Sequence, residues 1–535
     1  MRNIQGHSKL RRIFFGALLF ASTFAQAKVE LSQLFADHMV IQRDTQAPVW
    51  GWADPGERIA VSTSWGERVV ATTDAKGKWL LRITTPSAST DPQTISVVGD
   101  SQPDVTLTLE DVLVGDVWIA SGQSNMEFRQ HQSLQPNQED RDYPLIRTIN
   151  LNHVATDIPQ ERVPLRQTWI GCSERDAHHF SAAAFYFARR IFNETGVPIG
   201  LLSCSWGGMP IERFIPAAGF VSSPELKEIA DEIAVLDPAT PAGQAAYAKT
   251  MQAYAAWLPT AQAALAAGEY PNPAPEMPTM LGSWKTREAT RIYNGMIHSL
   301  VPYAVKGAIW YQGEANMGHD IALYPAKKQA LIETWRALFQ SGEFPFYFVQ
   351  LAGFQVSKGQ PEGGDGFAPM REAQLDCLKI PNTGMAVAID VGNPHDIHPK
   401  NKQDVGKRLA QIALHNDYGK DIVRSGPLYQ SMQVQGSQIV LSFDNVGSGL
   451  MAATKLGLDA PTPQDTQQLE HFAIAGADQA WHWAQATIQS DTVVVSAPEV
   501  TQPVAVRFAY TATPEKFNFY NKDGLPASPF KTDDW

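Results

Sequence analysis

Four short polar segments carry residue types suited to acyl transfer. In Ser121-Gly122-Gln123-Ser124-Asn125-Met126 a glycine permits a tight turn, so the Ser124 hydroxyl can be presented near a helix N-terminus, where negative charge is favoured. A serine in such a turn is also a common helix cap. The chain has no G-x-S-x-G at this point, which argues against the nucleophile elbow of the α/β-hydrolases. Ser205-Trp206-Gly207-Gly208-Met209-Pro210 pairs two glycines, whose backbone N–H groups can come close to a ligand as an oxyanion hole requires. A tight turn that binds nothing fits the same pattern.

In Tyr311-Gln312-Gly313-Glu314-Ala315-Asn316 the side-chain amides can donate to a developing oxyanion without titrating. Glu314 is alternatively a glycosidase carboxylate, with Glu127 or Asp396 as its partner. Gln123, Gln312 and Glu314 are candidates for contacting substrate. The last segment, Asn393-Pro394-His395-Asp396-Ile397-His398-Pro399, supplies a base. A serine nucleophile needs a histidine within reach and a group to fix its tautomer, and here His398 has Asp396 and Asp390 nearby. Asp396 stands two residues before His398, and in an extended loop such residues project to the same side. Asp396 is therefore the preferred acid and Asp390 its rival. His395 and His398 also have the spacing of a metal pair, but no third ligand accompanies them.

Four such loops must be brought together by regular elements. Continuous apolar runs at Val117–Ala120, Ile199–Ser203, Val305–Trp310, Phe346–Leu351 and Met385–Ile389 read as buried parallel strands, because helices cover both faces of such a sheet. In an open α/β sheet, ligands bind beyond the carboxyl ends of the strands, and four of these five runs lead into the polar segments above. After the last loop, Val405, Leu409 and Ile412 share one helical face. The fold class is α/β.

Around this unit the pattern changes. From Val29 to about Thr108, short apolar runs alternate with turns such as Asp54-Pro55-Gly56-Glu57, which predicts a small β-sandwich. Strand patterns return after Gly426. Between about 222 and 275 an alanine-rich stretch, ended by Pro271, Pro273 and Pro275, predicts a helical insertion. The expected organisation is a signal peptide over 1–27, β region over 28–110, esterase-like unit over 111–425 and β region over 426–535.

The first segment follows from Arg2, Lys9, Arg11 and Arg12, an apolar run from Ile13 to Ala21, and Ala25-Gln26-Ala27 as cleavage site. That run is about half the roughly 20 residues of a membrane span. Export to the periplasm or medium is therefore expected, without stable membrane association. With 55 acidic against 43 basic residues and a formal charge of −12, nucleic acid and anionic membranes are poor partners. Cys172, Cys204 and Cys377 show no CxxC spacing, so a cysteine zinc site is not expected and one disulfide with a leftover thiol stays open.

The sequence resembles the sialate O-acetylesterase family of the SGNH-hydrolase superfamily. The resemblance runs through Phe35-Ala36-Asp37-His38-Met39-Val40-Ile41-Gln42-Arg43, Gly122-Gln123-Ser124-Asn125-Met126, Tyr293-Asn294-Gly295-Met296, Trp310-Tyr311-Gln312-Gly313-Glu314, Ile397-His398-Pro399 and Gly524-Leu525-Pro526-Ala527-Ser528-Pro529-Phe530. It implies an SGNH-type, flavodoxin-like three-layer hydrolase unit with accessory β-sandwich regions. Ser124 then matches the nucleophile and His398 the base. The Ser124 amide, an amide at Gly207 or Gly208, and the Asn316 side chain match the oxyanion donors. The superfamily places its aspartate three residues before the histidine, where this chain has His395, so the acid departs from the pattern. The implied activity is removal of acetyl groups from sialic acid or plant-glycan sugars, with no cofactor.

Overall fold

The computed structural model describes residues 29–134, 142–173, 175–278, 288–318 and 320–535. The signal peptide expected over 1–27 lies outside them.

The strands of the central sheet are β1 (Thr106–Gly122), β2 (Tyr143–Leu151), β3 (Leu165–Cys172), β4 (Ile199–Ser205), β5 (Gly307–Tyr311), β6 (Phe346–Gln350) and β7 (Thr383–Val387). They lie in the order β3-β2-β4-β1-β5-β6-β7. All neighbours are parallel except the edge pair β3 and β2. Without that pair the order is 2-1-3-4-5 in chain sequence, with the switch of direction at β1. β2 and β3 are additions that the apolar-run pattern does not reveal.

Helices cover the sheet on both faces, as alternation along a strand makes plain. Phe346 of β6 meets Trp335 of helix Tyr324–Phe339, whereas the next residue, Tyr347, bonds through its hydroxyl to Asp417 of helix Lys402–Asp417 at 2.6 Å. The latter helix also packs on helix Ala182–Thr195. Trp118, Trp310 and Tyr347 fill the layers between and are fully buried.

β1 is 17 residues long and belongs to two parts of the molecule. Its first half pairs with Ser89–Gly99 and Val40–Gln42 in the N-terminal β region, and its second half with β4 and β5. The expected boundary at 110/111 thus falls inside one continuous strand. Beyond Leu428 the chain forms antiparallel sheets around Phe443, Phe472, Phe508, Phe519 and Phe530. These sheets are tied to the central unit: Gln350 of β6 donates to Ser528 at 2.9 Å.

The alanine-rich stretch contains a helix over Pro241–Ala266, capped by Thr240, which accepts from Gly243 N at 3.0 Å. Among the described residues no helix is long and apolar enough to cross a membrane. The disulfide option closes, because all three cysteines are buried and none is disulfide-bonded.

Candidate active site

Parallel register brings the loops to one edge of the sheet. Gly122 at the end of β1 lies beside Ser205 of β4 on one side and Tyr311 of β5 on the other. Its φ is +135°, and a Cβ there would sit 2.2 Å from the Tyr311 carbonyl oxygen, so the turn requires glycine. Gln123 N donates to that same carbonyl at 2.9 Å, and the chain then enters the short helix Ser124–Glu127.

Ser124 and His398, 274 residues apart, meet there. Nε2 of His398 is 2.8 Å from Ser124 Oγ, so in the tautomer protonated at Nδ1 the serine hydroxyl donates to the ring. Burial first, and the Lys402 charge second, hold His398 below the ordinary histidine pKa, opposed by Asp396. Both leading effects favour the neutral imidazole that a general base must be.

The two aspartates differ. Asp396 Oδ1 lies 3.8 Å from His398 Nδ1 and accepts the His398 backbone N–H at 2.9 Å. It is beside the ring without a formed hydrogen bond to it, a looseness common where substrate is absent. Asp390 is instead clasped by Arg408 at 2.6 and 2.7 Å and by the Tyr520 hydroxyl at 3.2 Å. Its buried side chain is held by a partner from the following helix and not by His398.

The expected oxyanion donors divide similarly. Gly207 N donates to Glu127 Oε2 at 2.9 Å and is therefore occupied. Gly208, with φ +73°, and Ser124 have backbone N–H groups without partners among the described residues. Asn316 is held by three bonds: its Oδ1 accepts from Ile211 N at 3.0 Å and Gln312 Nε2 at 2.6 Å, and its Nδ2 donates to Glu212 at 2.9 Å. These partners fix which end of the amide is nitrogen and leave it one further N–H.

Of the expected substrate contacts, Gln123, Gln312 and Glu314 are all buried and serve the protein itself. Gln123 accepts from Ala315 N, and Gln312 orients Asn316. Glu314 Oε1 accepts from Asn125 Nδ2 at 2.5 Å, and burial raises the pKa of this carboxyl. All three side chains are thus engaged with other parts of the protein, and Glu314 Oε2 keeps no hydrogen-bond partner among the described residues.

Glu212 and Lys402 escape a reading of the loops alone, and Glu127, a candidate carboxylate in the sequence, takes a supporting place. Glu212 accepts from Asn316 and from Lys327 Nζ at 2.9 Å in a buried pair. Glu127 braces the Gly207 loop, and Lys402 lies beneath His398. The only advance signal for Lys402 is its place in the first turn of a helix, where a cation is unfavourable. Beside His398 and Asp396 opens a cavity of about 380 Å³, bordered also by Asn393, Asn401, Lys455 and Gly457.

A family model described as carbohydrate esterase, sialic acid-specific acetylesterase, matches residues 277–415. The sialate O-acetylesterase of Mus musculus is 26% identical over 545 residues, 92% of either chain. That of Homo sapiens is 26% identical over 555 residues, 96% of this chain and 94% of the relative. Among solved structures, a carbohydrate acetylesterase from Xanthomonas citri is 35% identical, covers 95% of this chain and 100% of its own, and superposes with a TM-score of 0.76.

Proposed function

The chain belongs to the sialate O-acetylesterase family of carbohydrate acetylesterases, and from this we propose that it releases acetate from acetylated sugars through a serine acyl-enzyme. Ser124 is the nucleophile, His398 the base and Asp396 the group that orients it. The observation that carries this reading is the 2.8 Å contact between His398 Nε2 and Ser124 Oγ at the carboxyl edge of the sheet.

His398 Nε2 takes the Ser124 proton as Oγ bonds to the acetyl carbonyl carbon. Negative charge moves to the carbonyl oxygen, toward the N–H groups of Ser124, Gly208 and Asn316. Each such donor is worth roughly 3–4 kcal/mol. Collapse breaks the ester bond, and the departing sugar oxygen takes the proton from His398. Water then attacks the acetyl-enzyme with His398 again as base, which frees acetate and restores the serine. Nothing in these steps calls for a metal or an organic cofactor.

The cavity beside His398 has room for a sugar unit; Ser124 is not among the residues that border it. Acetylated sialic acid and acetylated plant polysaccharides are the two substrate classes of this reading. The same reading divides the chain into an exporting signal peptide over 1–27, β regions over 28–110 and 426–535, and between them an SGNH-type three-layer esterase unit. Ser124→Ala tests the assignment. It should melt like the parent and release acetate from acetylated sialic acid, xylan and xyloglucan at well under a hundredth of the parental rate, because loss of such a nucleophile costs several orders of magnitude. A variant retaining more than about a hundredth refutes the serine mechanism.

A further inference from the structure

We propose that Lys402 is a positioning residue which, through Asn125, grips the peptide on both sides of His398 and ties it to the turn that carries Ser124. This inference rests on the serine mechanism above.

The Lys402 side chain is completely buried, and its ammonium has directed partners throughout. Nζ donates to Asn125 Oδ1 at 2.5 Å and to the Pro399 carbonyl at 2.7 Å. Its remaining side faces the rings of Phe128 and Tyr311 at 4.8 and 5.3 Å. Asn125 uses its other end to donate to the Ile397 carbonyl at 3.1 Å and to Glu314 at 2.5 Å. The carbonyls of Ile397 and Pro399 flank His398, and Asn125 directly follows Ser124. One buried chain, Glu314 to Asn125 to Lys402, thus touches the carbonyl of the residue before the base, the carbonyl of the residue after it and the residue beside the nucleophile.

Packing alone does not account for a lysine here. A buried ammonium is costly, and an apolar residue of like volume is often as stable or more so. Lys402 is also the first residue of its helix, at the end where the dipole disfavours positive charge. Phe128, under which the amine sits, is itself stacked on the His398 ring at 6.4 Å. The ionisable groups facing Lys402 are Tyr311 at the end of β5, Glu314 from the loop after it, and Asp396 and His398 from the loop before its own helix. Lys402 therefore acts on the base by position and by charge, and the two effects separate in experiment.

Lys402→Met in the full chain, assayed on a small acetate ester, should lower kcat by about thirtyfold, part of the hundredfold or more that a general base contributes. KM should stay within about twofold, since the amine touches no substrate. The acid limb of kcat/KM should move to higher pH, because a positive charge that disfavours His398 protonation is gone. A purely structural role would not move that limb. Asn125→Ala, which removes the bond to Ile397 but keeps the ammonium, should lower kcat similarly and leave the limb near its parental position. It decides the matter if Lys402→Met does not fold. A folded Lys402→Met with parental kcat and limb, a loss confined to KM, or a parental Asn125→Ala overturns the proposal. Ser124→Ala is run alongside: if it is active, the serine mechanism itself fails, whereas if it is inactive and Lys402→Met is normal, only the positioning role fails.

Discussion

Asp396→Asn and Asp390→Asn should fail in different ways, and the geometry sets the size of each effect. At 3.8 Å from Nδ1, a carboxylate stabilises an imidazolium by about 1 kcal/mol in water and about 4 at an effective dielectric of 20. Asp396 and His398 have 42% and 37% of their side chains exposed, which places the effect near the lower bound. Roughly 1.5 kcal/mol corresponds to about a tenfold loss of kcat/KM. The asparagine oxygen still accepts the His398 backbone N–H, so the loop and the melting temperature should hold. With Asp396 removed, nothing opposes burial and Lys402, and the acid limb should move to lower pH. Asp390 has 1% of its side chain exposed and Arg408 8%, so breaking that pair strands a buried guanidinium at a cost of about 3–5 kcal/mol. At roughly 2 °C per kcal/mol, the melt should fall by about 6–10 °C. Paired melts and kcat/KM–pH profiles check both. An Asp390→Asn that melts normally but is nearly inactive, with a normal Asp396→Asn, refutes the assignment of the acid.

Two further outcomes follow from the supporting residues. Glu212→Gln should lower both stability and kcat, read by melt and acetate release, because it removes the carboxylate that holds Asn316 Nδ2 and neutralises Lys327. The native protein should not react with a thiol reagent until it is denatured, since all three cysteines are buried and the Cys204 and Cys377 thiols are pushed up to about 12 by burial.

The four loops were legible because each follows an apolar strand and carries residues whose chemistry is local: a glycine with forced geometry, a serine, an amide, a histidine. The helix after His398 was legible for the same reason, since Val405, Leu409 and Ile412 point to one side and are buried as expected. What stayed hidden depends on distant partners. In β2, Pro144, Arg147 and Asn150 interrupt the apolar pattern, and only the fold supplies Asp111 to receive Arg147 at 2.9 Å. Asp390 looked available because Arg408 is on another element. Lys402 has no signal in the local sequence because its acceptors come from Asn125 and from the Pro399 carbonyl. The accessory β region and the central sheet could not be separated cleanly, because one strand serves both.

The carboxylates around Ser124 also bear on the kind of bond this site can break. Glycoside hydrolysis through paired carboxylates needs two groups flanking one glycosidic bond, one of them able to give a proton and the other to attack or to activate water. Near Ser124 each of the three carboxylates makes a contact within the protein. Glu314 is buried and accepts from Asn125; burial raises its pKa and the Asn125 hydrogen bond opposes that rise. Glu127 accepts the Gly207 N–H and lies 3.4 Å from both His153 and Arg166, and the hydrogen bonds from His153 and Gly207 hold its pKa low despite burial, which suits an anion and not an acid. Asp396 accepts from the peptide of His398. Among the described residues the Ser124 and Gly208 backbone N–H groups have no partner, and Asn316 Nδ2 keeps one further N–H. Unpartnered N–H groups beside a serine are suited to receive negative charge formed on a substrate, and under the proposed mechanism that is the charge acyl transfer creates and glycosyl transfer does not.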